Sequence, residues 1–489
     1  APTTANTASS TVPIKIDTPP DNKAPDLKWL ENALPDWLAD ATDSDLNNYS
    51  RHLKDLAVLH SQNAGKSYLD GIAPIQEYTL SQLNALHGAK LLEHAGALRD
   101  QPTLETALNF IELRVRSTVV WGTFVVPGKV ERSSFSIVEL ALQNLIALPL
   151  GDKTLHSTRG KTLPDWLTVD YIEGLVRQAD IGKSYPALIK SKLLGTSPQV
   201  RTRQQQFSQH LRIQLPLLAL QGKIRQQAGL DARGYRYVTA VMAPEPRDRV
   251  VEGQTIVMRP LAFVPQRRDS GAADEVANMF VIGPEDPTAG PCLLYRPMLD
   301  NPLSQYPSTS NLLYAIQQSS SLRESVLAWL PDDARSDYAN FVFPGTLPSP
   351  WAVTKFLVET DTLSTMTGPM SLGQKTLEGD LLVSLFKANA QALVQLADRQ
   401  SVSNAESRWA SFKHIGWSLL NSVLPFLGRT VGIAAWIWQI LDQLEELQQA
   451  EEHADKPEQW AAFADLLLNL GMAITLHIAA RSRPGRRPA

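Results

Sequence analysis

The sequence predicts a mainly α-helical protein, a multi-helix array with a small β-containing subdomain and a C-terminal apolar helical hairpin. Three observations predict it. Apolar residues recur at three- and four-residue spacing through much of residues 26–230, and helical signals return at 309–318, 322–330 and 372–401. β-Branched and aromatic runs separated by Pro, Gly and Asp gather between Tyr235 and Tyr295. Two long segments near the C-terminus, residues 415–441 and 460–480, are almost uncharged. The expected organisation is a disordered leader at 1–25, an N-terminal helical region at 26–230 and an α+β subdomain at 231–345. A helical region at 346–412, the hairpin with an acidic connector at 413–481 and a basic tail at 482–489 complete it.

The leader is rich in Thr, Ser, Ala and Pro and lacks the basic and apolar regions of a cleavable secretory signal. Such a polar leader reads first as a floppy terminus, and alternatively as suited to a specialised export route. Beyond it, Leu53, Leu56, Ala57 and His60 share a helical spacing, as do Leu80, Leu83, Leu86 and Leu91. Leu104, Ala107, Leu108, Ile111 and Val115 predict a helix over 103–118, with Pro102 at its start. The pentapeptide Leu34-Pro35-Asp36-Trp37-Leu38 recurs as Leu163-Pro164-Asp165-Trp166-Leu167. In each copy Pro breaks the chain, Asp is placed to cap a helix and Trp to anchor it. Residues 119–126 read as a strand, and so do the runs YRYVTAVM, QTIVMRPLAFV, NMFVIG and CLLY between 235 and 295.

The 489 residues carry 46 basic and 50 acidic side chains, a net charge of −4 that excludes a generally basic nucleic-acid binder. The one cysteine, Cys292, excludes an internal disulfide and lies in an apolar strand context, so it reads as a buried, inert thiol. Three Gly-Lys-Ser/Thr tripeptides, at Gly65, Gly160 and Gly182, lack the glycine five residues earlier that a phosphate-cradling loop needs; His60, Leu155 and Arg177 stand there. The pairs His52/His60 and His87/His94 could each share a helix face, yet no carboxylate pattern completes a metal site. Arg201, Arg203 and Arg212 read as a solvated helix face. No catalytic, cofactor-binding or metal-binding residue is nominated.

The functional reading rests on the hairpin. Residues 415–441 contain one charge, Arg429, and residues 460–480 contain Asp465 and His477. As helices they would be about 40 and 32 Å long, against a hydrocarbon core of about 30 Å. Twelve Leu, Ile, Val or Phe residues in the first segment and eight in the second favour insertion by roughly 6 and 4 kcal/mol, while Arg429 and Asp465 oppose it by about 3 each. Those balances fit conditional rather than permanent insertion. Trp417, Leu424, Phe426, Trp436, Trp438, Trp460, Leu467 and Ile474 are the expected membrane-inserting residues. Between the arms, Asp442, Glu445, Glu446, Glu451, Glu452, Asp455 and Glu458 face only Lys456, a local charge of −6. With Asp465 they form the expected pH latch, because carboxylates set against apolar surface take up protons more readily than in water. His453 and His477 would gain charge over about pH 5–7, loosening a packed form.

The runs DEVANMFVIGP at 274–284, GPCLLYRPMLDNPLSQYPS at 290–308 and LRESVLAWLPDDAR at 322–335 resemble the dermonecrotic toxin N-terminal-type domain of large secreted Gram-negative toxins. IRQQAGLDARGYRYV at 224–238, the first LPDWL and the hairpin share the likeness, which spans most of 26–481. The resemblance implies a non-catalytic module for delivery or membrane targeting, secreted from the bacterium and acting at a host membrane or in host cytoplasm. It brings no catalytic residues. Expected partners are the host membrane on acidification, a host protein receptor and downstream toxin domains where the chain is part of a longer toxin. Nucleic acid and cofactors are not expected. The alternative is a soluble helical scaffold that binds a host protein or effector and keeps its hairpin buried. An enzyme using acids around the β subdomain is a third reading.

Overall fold

A computed structural model of the chain describes residues 27–73, 75–121, 124–142, 151–299, 301–343, 360–401, 436, 437, 440 and 459–482. The elements run α1 (Leu27–Asn32), α2 (Asp36–Ala39), α3 (Asp43–Gln62), α4 (Ile75–Glu93), α5 (Ala95–Asp100), β1 (Ile111–Trp121), β2 (Phe124–Ser136), α6 (Ile137–Leu142) and β3 (Asp152–Ser157). Then come α7 (Val169–Ala179), α8 (Ile181–Leu193), α9 (Pro198–Ile224), α10 (Ala232–Val241), β4 (Val250–Val251), β5 (Gln254–Pro265), β6 (Asp274–Pro284), β7 (Cys292–Tyr295) and β8 (Leu303–Tyr306). The rest are α11 (Thr309–Gln318), α12 (Ser320–Trp329), α13 (Asp332–Asp337), α14 (Thr360–Met366), β9 (Met370–Leu372), α15 (Leu381–Ser401) and α16 (Gln459–Arg481). The protein is mainly α, as the sequence predicts. The chain forms two compact units, the smaller from 1–65, 216–227 and 432–489 and the larger from 66–215 and 228–431. Helix α9 passes from one to the other at Pro216, a residue that cannot donate the helical hydrogen bond.

The larger unit holds two antiparallel sheets under helices. The first has the order β2-β1-β3. Here the helix expected over 103–118 gives way to a strand. Ile111, Leu113 and Val115 are buried, whereas the intervening Arg114 and Arg116 are exposed. A two-residue period over β-branched residues outweighs the three-to-four spacing that also runs through the segment. The expected strand at 119–126 falls on the end of β1 and the start of β2, which pair Val120 with Val125 and Trp121 with Phe124.

The second sheet has the order β4-β5-β6-β7-β8, with β9 added to β5. Strands β5, β6 and β7 coincide with three of the expected runs. The run YRYVTAVM instead forms α10. Asp231 accepts a hydrogen bond from the backbone N–H of Gly234 at 2.9 Å, and Tyr235, Tyr237, Val238 and Val241 are buried on the helix. The cap and that face override the β propensity of Tyr and Val. Helices α12 and α15 lie against β6. A single core joins Leu113, Val115, Ile172 and Tyr185 to Phe263, Val281, Leu294 and Phe386.

The smaller unit is helical in its described residues: α1, α2, α3, the end of α9 and α16. Thr42 caps α3 by accepting from the N–H of Asp45, and Lys223 pairs with Asp45 at 2.7 Å. Leu46, Tyr49, Leu53 and Leu56 of α3, Leu217 and Leu220 of α9, and Leu467, Leu470 and Ile474 of α16 form its interior. Of the first expected hairpin arm only Trp436, Ile437 and Ile440 are described, all buried.

The repeated pentapeptide folds alike in the two units. In each copy the leucine N–H donates to the proline carbonyl, Leu38 to Pro35 and Leu167 to Pro164. Pro35 and Pro164 are buried, Asp36 and Asp165 exposed, and Trp37 and Trp166 half-buried. Threonines, not the aspartates, cap the helices that follow: Thr42 for α3 and Thr168 for α7.

Candidate functional site

Helix α16 forms because 459–481 is rich in Ala and Leu and free of Pro. Its residues 463–481 are long and apolar enough to cross a membrane, by length and composition. Only 44 % of that apolar stretch is buried. Phe463, Leu466, Leu467, Leu470, Ala473 and Ile474 point inward. Leu468, Met472 and Leu476, at four-residue spacing, form an apolar stripe on the outer side, 41 %, 37 % and 44 % exposed. Single exposed leucines are ordinary, but an aligned row on an already apolar helix is not.

Polar contacts with α3 fasten the inward face. The Ser50 hydroxyl donates to the Gly471 carbonyl at 2.7 Å and lies 3.4 Å from the Thr475 hydroxyl. The Lys54 ammonium donates to Thr475 at 3.4 Å. A Cβ at position 471 would come within 2.9 Å of the Lys54 Cγ and 3.3 Å of the Ser50 carbonyl, so glycine permits this close crossing. The His60 ring meets Phe463 edge-on, with centroids 5.1 Å apart. These contacts match Ser50 with 471 and 475 and His60 with 463, which makes the helices antiparallel.

At the far end of α16, one ring nitrogen of His477 lies 2.9 Å from the Ala39 carbonyl and the other 3.4 Å from the Glu31 carboxylate. Arg481 donates to the carbonyls of Ala39 and Ala41. Trp436 donates to the Tyr49 hydroxyl at 3.3 Å and packs edge-on against Trp37. The Arg225 guanidinium lies over the Trp37 ring, 5.4 Å from its centroid.

Titratable groups sit inside this packing. Burial, with a smaller contribution from neighbouring Arg51, pushes His52 down to about 4. Burial alone pushes His60 below the usual histidine value and burial pushes the Tyr49 phenol up.

Of the residues expected to insert, Trp436, Leu467 and Ile474 are all buried in the smaller unit. Trp417, Leu424, Phe426 and Trp438 lie outside the described residues, as does the side chain of Trp460. Of the expected latch, Asp465 is exposed. Asp442, Glu445, Glu446, Glu451, Glu452, Asp455 and Glu458 lie outside the described residues. Sequence reasoning missed Ser50, Lys54, Gly471 and Thr475. Of these only Gly471, a glycine inside an otherwise strong helix former, carries a visible signal.

In the larger unit a pocket is lined by Arg259, Val281, Gly283, Cys292, Leu372 and Gln374 among others. Arg259 is engaged by the carbonyls of Gln374, Pro284 and Glu285. Cys292 is buried and its thiol is pushed up to about 12, which leaves it protonated and unreactive. His87 bonds the Tyr171 hydroxyl and the Thr106 carbonyl, each at 2.7 Å, and His94 stacks on Trp166. Arg203 of the basic cluster donates to the carbonyls of Tyr68 and Asp70. Among the described residues no group of three or more His, Cys, Asp or Glu could hold a metal ion.

No curated protein matches the chain. The family model described as dermonecrotic toxin, N-terminal domain, matches residues 89–333. The resemblance read across 26–481 is thus carried by this part, which contains the runs at 274–284 and 290–308; α16 lies beyond it. With half of its length matched, the chain belongs to the dermonecrotic toxin N-terminal domain family and contains a toxin-related module.

Proposed function

We propose that the chain is a non-catalytic delivery module of a secreted bacterial toxin, and that its C-terminal apolar segments insert into a host membrane on acidification. The observation that carries this is α16. It is long and apolar enough to span a bilayer, yet it is held along one side and exposes Leu468, Met472 and Leu476 on the other. A helix fixed permanently in a soluble core gains nothing from that outer stripe, whereas a helix destined for lipid needs apolar residues all round. The toxin family makes a host membrane a natural destination. A host protein receptor and downstream toxin domains remain the partners proposed, with no nucleic acid and no cofactor.

The test is flotation of the 489-residue chain with vesicles of phosphatidylcholine and phosphatidylserine at pH 7 and pH 5. Association at pH 5 and little at pH 7 is expected. Equal, negligible association at both overturns the proposal. The contacts of Ser50, His477 and Arg481 favour a second reading, a soluble scaffold with α16 permanently docked. Under it, amide exchange in α16 would stay slow at pH 5.

A further inference from the structure

We propose that the hairpin of β1 and β2 is a second lipid-contacting element, whose apolar end at 119–121 and 124–126 enters the headgroup layer of a membrane while Arg116 and Arg132 at its base bind the phosphates of anionic lipids. This element is independent of α16. It lies in the larger unit, inside the matched residues 89–333. It also needs no acid, because arginine keeps its charge at neutral pH and below.

Stem and end of the hairpin follow different patterns. In the stem Ile111, Leu113 and Val115 are buried, while Arg114, Arg116, Arg132 and Ser134 are exposed. That is the alternation of a sheet with one dry and one wet face. Strand β3 pairs with residues 111–116 of β1. Beyond them, among the described strands, residues 117–121 pair with β2 alone, which carries the hairpin about 16 Å further. There the alternation stops. Positions 119–121 and 124–126 are Val, Val, Trp, Phe, Val and Val, and no charge falls between Ser117 and Gly128. The ladder shifts register between Thr118 and Val120, where Pro127 on β2 offers no N–H. Past that break Val120 pairs with Val125 and Trp121 with Phe124. A strand end that is apolar at every position has no side suited to water.

The charge at the base selects lipid over other surroundings. Arg116 stands directly opposite Arg132 in the ladder. Like charges so placed are unfavourable, and an anion between them removes that cost. Asp152 is the partner of Arg116 on β3, and Glu131 is exposed beside Arg132. Even so, among the described residues neither arginine forms an ion pair, whereas the neighbouring Arg114 is held by Glu112 at 2.7 Å. A free phosphate would satisfy the arginines and leave the apolar end in water. A dry protein surface would cover the end and leave the arginines unpaired. A phospholipid surface supplies both, phosphate outside and hydrocarbon within, and Trp and Phe favour the boundary between them.

Six apolar side chains and two cations make a weak anchor, below the association constant of about 10⁴ M⁻¹ that a single myristoyl chain gives. The hairpin alone therefore does not hold the chain in flotation at pH 7, and it adds to α16 in acid. Each cation close to an anionic surface strengthens binding about fivefold. Loss of both arginines is expected to weaken it about 25-fold.

The experiment is Val120→Cys carrying an environment-sensitive fluorophore on the full chain, titrated at pH 7 and low ionic strength with vesicles of phosphatidylcholine and phosphatidylserine. Cys292 is buried and does not compete for the label. A blue-shifted emission quenched by lipids labelled at the headgroups is expected, with binding about 25-fold weaker in the variant Arg116→Gln, Arg132→Gln. Vesicles of phosphatidylcholine alone should bind as weakly as that variant does. An emission unmoved by anionic vesicles overturns the proposal, and so does an affinity that ignores the arginine variant. Shielding of the label from aqueous iodide before lipid is added also overturns it, because protein then covers the end. Thermal unfolding of the arginine variant, expected at or slightly above that of the unmodified chain, reports its fold. Brominated anionic lipid should quench the native tryptophan emission of the unmodified chain, and less so after Trp121→Phe, which reads the same contact without a label. A hairpin signal at pH 7 with no association at pH 5 would refute the reading of α16 alone; association at pH 5 with a hairpin that never meets lipid would refute this proposal alone.

Discussion

Helix α16 and strand β6 are both apolar elements, yet they are stored in opposite ways. Strand β6 pairs with β5 on one side and β7 on the other, and α12 and α15 pack against it. From Met279 to Pro284 every residue of it is buried. Among the described residues, helix α16, more apolar for its length, is packed by α3 and α1, and it leaves Leu468, Met472 and Leu476 exposed. The charge nearby differs as well. In the larger unit the buried Glu105 is gripped by Arg159 at 2.8 Å, and Asp274 by Arg268 and Tyr338. In the smaller unit the buried titratable groups include His52 and the half-buried His60. What encloses an apolar segment, rather than its hydropathy, decides how securely it is stored.

Acid makes this contrast directional. The guanidinium of Arg159 holds the Glu105 carboxyl below the usual carboxylate range, so that pair keeps its contribution above about pH 4.5 and loses it only as pH falls further. His52 of α3 loses its contribution between about pH 6.5 and 4, and burial also holds His60 below the usual histidine value. A window near pH 5 therefore separates the Glu105–Arg159 pair from His52, although burial also holds His87 of the larger unit below the usual histidine value.

The largest expected effect tests whether the inward face of α16 is a true core. Leu470 is fully buried, and Leu470→Ala should destabilise the smaller unit by about 2–5 kcal/mol, read as faster amide exchange in both α3 and α16 with β6 unchanged. Next, lowering the pH from 7 to 5 should destabilise the smaller unit by about 2 kcal/mol through His52. Exchange in β6 should change less over the same range, and equal loosening of both units would erase the comparison. A smaller effect is expected for Ser50→Ala, which removes the hydrogen bond to Gly471 and should cost about 1 kcal/mol in urea titrations followed at α16. The smallest change in stability belongs to the outer stripe. Leu468→Ser, Met472→Ser and Leu476→Ser should each alter it by less than about 0.5 kcal/mol at pH 7. The triple variant should nevertheless lose vesicle association at pH 5, which would show that the stripe serves lipid and not the fold.

Much of the fold is legible in the sequence because local signals agree with the tertiary outcome. The α11 helix, strands β5 to β7 and the apolar last helix stand where periodicity puts them. It fails where two periods coexist, as at 111–116, and where a cap redirects β-prone residues, as Asp231 does for α10. The family was legible in the runs at 274–284 and 290–308, both within the matched region. The clasp was not. Ser50 and Gly471, like Lys54 and Thr475, are ordinary residues 421 positions apart along the chain, and no local pattern announces such a pairing. In the sequence His60 shares the helical spacing of Leu53, Leu56 and Ala57 and stands eight residues from His52; its proximity to Phe463 needed the fold.

The central claim is that α16 is stored by α3 at neutral pH and enters lipid in acid. It is tested most directly by Leu468→Cys carrying an environment-sensitive fluorophore on the full chain, since the native thiol of Cys292 is buried and does not compete for label. On anionic vesicles at pH 5 the account predicts a blue-shifted emission quenched by lipids labelled near the bilayer centre, and at pH 7 an emission untouched by them. Emission that stays water-like and unquenched at both pH values would contradict it.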